Sequence, residues 1–199
     1  MAMTSNQRNW TVFVAAIAVT AMAAAVYLGS AGVNDDNIRL SLRLSAHAAF
    51  VVLLVVFIAR PLRQLVNSPL TIALLRNRRL IGIAFAGIHT AHLGLILYRA
   101  NMIADFNVRI SERLLGGLTY VVIYLMFFTS FDATARAIGP RYWRLLHKVG
   151  LYWILAAFIP TLLPGSLDQL GGINGILLLL TAVAITIRLA AFFAQRREN

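Results

Sequence analysis

The sequence predicts an all-α membrane protein: a single bundle of six transmembrane helices with both termini in the cytoplasm. Three observations carry this expectation. Of the 199 residues, 60% are hydrophobic and 13% charged, and the mean hydropathy is +0.77. A soluble domain is about 45–50% apolar and about 25% charged, and one of this size has too little interior to hide the excess. Second, six stretches approach the roughly 20 apolar residues that a helix needs to cross a hydrocarbon core of about 30 Å. Third, the cations divide unequally between the segments that would lie on the two sides.

The first span, 10–28, follows Arg8 and stops at Gly29. Its apolar run is longer than the h-region of a signal peptide, so a retained anchor is expected. The second, 42–59, stops at Arg60-Pro61. Between 60 and 79 the chain carries Leu62, Leu65, Val66, Leu70, Ile72, Leu74 and Leu75 among its arginines, which suits a helix lying at the inner interface. The third span is 80–98, and the outer stretch 101–115 suits a second interfacial helix. The fourth, 114–131, has Gly116 and Gly117 near its start and would be short if it began only at Leu118. Gly139-Pro140 breaks the chain before the fifth, 142–163, inside which Pro160 predicts a kink. The sixth is 173–193. No repeat, low-complexity tract or long linker divides the chain, so 1–199 reads as one domain.

With the N-terminus inside, the inner segments hold thirteen Lys and Arg residues against two acids, Asp132 and Glu198. The outer segments hold five cations and five acids. The net charge of +11 is therefore a positive-inside signal. It predicts a lipid bilayer as partner and leaves no surplus charge to suggest nucleic acid.

All four histidines, His47, His89, His92 and His147, fall inside the spans. An ionisable side chain in hydrocarbon is costly and is usually paired or functional. A hydrogen bond to a neighbouring helix would explain any one of them, but explains four less well. Cys is absent and no acid lies deep in a span, which removes disulfides, iron–sulfur ligation and covalent haem attachment and starves a zinc or di-iron site of ligands. Neutral imidazoles on different helices suit the axial positions of a porphyrin iron. Two protein ligands would leave no open position, favouring electron transfer. No phosphate-binding glycine loop, Ser–His–Asp set or carboxylate pair can be assembled, so a redox subunit is expected rather than a complete enzyme.

Depth constrains the pairs, at 1.5 Å of rise per residue. His89 lies about 14 Å and His92 about 18 Å from the inner boundary, His147 only about 6–8 Å, and His47 about 8–10 Å from the outer face. Depth thus places His92 with His47, and His147 nearer His89. His89 and His92 share one helix face, and two haems on ligands one turn apart would overlap, so one haem is expected. Arg39, Arg43 and Arg99 outside, and Arg78, Arg79, Arg144 and Lys148 inside, offer charge-assisted bonds to propionates. For any single one, snorkelling and topology are the simpler reading. Trp10, Tyr142 and Trp143 suit interfacial anchoring, while Trp153 either lines a pocket or packs.

Arg78-Arg79-Leu80-Ile81-Gly82 followed by His89 and His92, then Thr129-Ser130, Asp132, Gly139-Pro140, Trp143-Arg144-Leu145-Leu146-His147 and Tyr152, resembles the ferric-reductase-like transmembrane family. It is most similar to the bacterial branch containing the haem-binding subunit of the periplasmic methionine sulfoxide reductase system. The resemblance covers about residues 42–163. It implies a b-type cytochrome of the bacterial inner membrane that passes electrons to a periplasmic acceptor. His147 matches the fifth-helix ligand and His92 the third-helix ligand, with His89 the alternative one turn away; His47 has no counterpart. The family's further fifth-helix histidine is missing around Pro160, as are flavin and nicotinamide domains. A separate redox partner is therefore implied, with a quinol or a flavin as donor (quinone or FMN). The competing expectation keeps the fold and drops the chemistry: a haem-free scaffold or accessory subunit of a larger membrane complex.

Overall fold

The computed structural model describes residues 3–103, 110–166 and 172–198. Within them the chain forms α1 (Ser5–Ala31), α2 (Asp35–Leu65), α3 (Pro69–Met102), α4 (Ile110–Phe128), α5 (Asp132–Ser166) and α6 (Ile173–Glu198). Five of the six are long and apolar enough to cross a membrane; the apolar part of α4, Arg113–Phe128, is shorter. The all-α fold expected from composition is present, as a helical bundle of multi-pass membrane type.

Polar caps start the helices well ahead of their apolar stretches. Thr4 and Gln7 form a capping box on α1, and Ser68 and Thr71 form one on α3, where Pro69 occupies the first turn. Asn34 caps α2, with Asp35 and Asp36 against the positive end of the helix dipole. The interfacial helix expected in 60–79 is consequently not a separate element. Residues up to Leu65 continue α2, those from Pro69 begin α3, and only 66–68 intervene. At the other end α3 continues through Met102 and α4 begins at Ile110; residues 104–109 of the second expected interfacial segment lie outside the described residues.

The break expected at Gly139-Pro140 is present: a φ of 76° and ψ of 161° at Gly139 divide α5 into a short first segment and a long second one, while the backbone dihedrals at Pro160 remain helical. Only glycine adopts that conformation without strain. Pro61 stays inside α2, where it withholds the N–H that Phe57 O would normally accept. Arg188 of α6 supplies the replacement, donating from Nη1 to Phe57 O at 3.0 Å. Its guanidinium lies 4.2 Å from the Phe57 ring centroid and 4.7 Å from that of Tyr152.

Small residues set the closest packing. Ser41, Ser45 and Ala49, spaced four apart, form a buried stripe on α2 against α3. On the far side of α3, Gly87 admits α1: a Cβ there would stand 2.6 Å from Phe13 O and 2.7 Å from Ala16 Cβ. At the end of the bundle that carries both termini, Asp132 of α5 accepts from Arg79 of α3 and Ser5 of α1, at 2.7 and 2.6 Å. Asn9, buried beside them, accepts from Arg79 Nη2 at 3.0 Å when its amide is turned to suit both neighbours. At the opposite end Arg39 and Arg99 both bind Asp35 at 2.7 Å.

The helices do not close equally on one another. The backbones of α1 and α2 lie close to α3, α6 lies close to α2 and α5, and α4 lies close to α5, whereas α2 and α3 meet α5 mainly through long side chains such as Phe50 and His89 on Phe158. A seam is left between α2–α3 and α4–α5. Phe85, Ile123 and Ile154 plug its middle, leaving one cavity toward each end.

Candidate functional site

The cavity at the end remote from both termini, the outer end in the orientation expected from the charges, has a volume of about 530 Å³ and is lined by Arg43 and Ala46 from α2, His89 and His92 from α3, Tyr120 from α4 and Phe158 from α5. The one-face expectation for His89 and His92 holds: both line this cavity, with ring centroids 5.7 Å apart. The His89 ring is buried against Phe85, Tyr120 and Phe158, at centroid distances of 4.6, 5.7 and 5.5 Å. Its Nδ1 is buried without a hydrogen-bond partner among the described residues.

The Ser45 hydroxyl lies 2.8 Å from His92 Nδ1, and 2.9 and 3.0 Å from the carbonyls of Ser41 and Leu42. With its proton on either carbonyl, its oxygen accepts from His92 Nδ1–H; with its proton turned to the ring, the roles reverse. A neutral imidazole with its proton on Nδ1 has a lone pair on Nε2. A hydrogen bond at the far nitrogen is the arrangement that orients metal-ligating histidines.

His147 sits in the inner half, in a chamber of about 190 Å³ that opens into another of about 320 Å³. Its ring stacks on Trp143 with centroids 4.2 Å apart, and Trp143 Nε1 donates to Thr129 O at 2.9 Å. Thr129 Oγ1 lies 2.7 Å from Leu125 O and 3.1 Å from His147 Nε2. With its proton on the carbonyl it accepts from His147 Nε2–H, which puts the ring's lone pair on Nδ1.

His47 is in neither cavity and stands beside Asn174 of α6. The pairing of His47 with His92 by depth fails because depth ignores helical phase. Ser45 faces α3, and two residues turn an α-helix by about 200°, which carries His47 to the opposite side. Nor do His92 and His147, the pair the resemblance implies, line one cavity; Phe85 stands between them, lining the inner chamber and packed on His89. The arginines are sorted too. Arg39, Arg79 and Arg99 are engaged by carboxylates, whereas Arg43 lines the outer cavity and Arg78, Arg144 and Lys148 the inner.

Tested against a haem, the outer cavity matches on three counts. Its volume falls in the range of about 300–1,000 Å³ usual for cofactor sites, its walls are largely apolar, and it combines an oriented imidazole with a guanidinium. It does not supply a second nitrogen from α5, which contributes Ala157, Phe158, Pro160 and Thr161 there. A haem spanning His92 and His147 does not fit this arrangement of side chains. Sequence reasoning missed Ser45, although the Ser41–Ser45–Ala49 spacing was a readable packing signal. It also missed Tyr120 and Arg188, whose roles depend on tertiary neighbours.

No family model and no solved structure matches the chain. The fold and site therefore define a class only: a multi-pass helical membrane bundle with an imidazole-lined seam.

Proposed function

We propose that this chain is a b-type haem protein of the bacterial inner membrane, acting as the electron-transfer subunit of a redox system with both termini in the cytoplasm. The observation that carries the reading is His92, whose ring lines a largely apolar cavity and whose Nδ1 is hydrogen-bonded to the Ser45 hydroxyl at 2.8 Å. In this reading His92 would hold the haem iron and Arg43 would neutralise a propionate. Tyr120, Phe158 and the His89 ring exclude water, which keeps an iron centre's potential under protein control. The bound haem supplies one-electron chemistry; the chain supplies insulation and position. The donor is a quinol or a flavin and the acceptor a separate periplasmic partner, both taken from the family resemblance and from the charge asymmetry that sets the orientation.

The test is electron transfer across a sealed membrane. The haem-loaded chain is reconstituted into liposomes containing ferricyanide, and menadiol is added outside. The proposal expects ferricyanide to be reduced through the wild-type chain and only at the leak rate with His92→Ala. Equal rates in liposomes with wild type, His92→Ala and no protein would refute it.

A further inference from the structure

We propose that the inner basic cavity is a binding site for a phosphate ester carrying an apolar body, independent of any haem in the outer one. Four helices bring five cations to a chamber of about 320 Å³: Arg60 from α2, Arg78 from α3, Arg144 and Lys148 from α5, and Arg188 from α6. No carboxylate lines it, and none of the three ion pairs among the described residues involves these five. Asp132, the nearest acid along α5, is occupied by Arg79 and Ser5.

Topology alone requires cations at this end of the bundle, and snorkelling satisfies it by sending each head group outward. Here all five also line one concavity, Arg78 and Arg188 partly buried and Arg60, Arg144 and Lys148 at its exposed rim. Arg188 is held inward by the carbonyl that Pro61 leaves open and by the rings of Phe57 and Tyr152, so one wall is built before any ligand arrives. A cluster of like charges in a partly desolvated chamber favours a multiply charged anion. Guanidinium forks and an ammonium together match the oxygens of a phosphate better than a single carboxylate. The second chamber, about 190 Å³, shares Val56, Met126, Trp143 and Leu151 with the first and continues between apolar side chains toward Phe85. A ligand of charged head and apolar body fits the two together. Such a head group could belong to a bilayer phospholipid or to a soluble phosphate ester, since basic pockets between membrane helices accept either.

Titration calorimetry on the full chain in neutral detergent distinguishes these, with dioctanoyl phosphatidate, glycerol 3-phosphate and dioctanoylglycerol as probes. Arg144 and Lys148 are exposed, so the double variant Arg144→Gln/Lys148→Gln leaves the fold's core untouched. It is expected to weaken phosphatidate binding by about 10-fold or more, the loss of charge-assisted bonds to phosphate. Arg136→Gln/Arg141→Gln removes two exposed cations from the same end but outside the cavity, and should change it by less than about 2-fold. Competition by glycerol 3-phosphate supports a soluble source and failure to compete a lipid source. Equal losses in the two double variants, or equal binding of dioctanoylglycerol, would overturn the site.

Discussion

Replacing Ser45 by Ala tests whether His92 is held as a ligand. The hydroxyl lies 2.8 Å from His92 Nδ1 in a part of α2 where Ser45 is only 6% exposed. Its removal leaves that buried nitrogen unsatisfied, a loss of about 1–3 kcal/mol. Loss of an outer partner of a metal-bound histidine typically weakens binding about 10–100-fold. At 1.4 kcal/mol per factor of ten that is about 1.4–2.8 kcal/mol, so the two routes agree. The assay is haem titration of the apoprotein in detergent, followed by absorbance, with helicity and thermal unfolding measured in parallel. Ser45→Ala should raise the Kd for haem by about 10–100-fold. Ser45→Thr, which keeps the hydroxyl, should recover most of the affinity. An unchanged Kd for Ser45→Ala in a protein whose His92→Ala variant loses haem would refute the role given to Ser45.

Four further outcomes concern the bundle itself and are read by thermal or denaturant unfolding in detergent. Gly87→Ala should destabilise by about 1–2 kcal/mol, because α1 backbone blocks the new methyl and helix propensity returns only part of the cost. Gly150→Ala should stay within about 1 kcal/mol of wild type, since what it meets at 2.5 Å is the flexible Met126 sulfur. Arg188→Leu should cost about 1–3 kcal/mol by abandoning Phe57 O, and adding Pro61→Ala should restore stability by returning the helical N–H. Gly139→Ala should cost about 1–3 kcal/mol through its positive φ, although open space surrounds it.

The helices were legible because lipid demands long apolar runs, and the runs are in the sequence. Their ends were less so: Ser68-Pro69 and Thr4 are helix-start signals that hydropathy alone overlooks, and they turn the expected interfacial helix into extensions of α2 and α3. The one-face pairing of His89 with His92 needed only a three-residue spacing. The relation of His47 to His92 needed the phase of α2, which Ser41, Ser45 and Ala49 do encode as a small-residue stripe. The separation of His92 from His147 was not readable, because it depends on Phe85 filling the seam between them. Arg188 was indistinguishable from a topological cation until its partner, a carbonyl freed by Pro61, lay across from it.

The central claim is that one side of the seam, not the His92–His147 pair, holds haem. The direct measurement is the haem content per chain, by pyridine haemochrome, of wild type, His92→Ala and His147→Ala purified after haem-replete expression. The account predicts about one haem in wild type, almost none in His92→Ala, and near wild-type content in His147→Ala, whose Nε2 is bound to Thr129. Haem retained by His92→Ala but lost from His147→Ala would contradict it, as would a wild-type chain without haem.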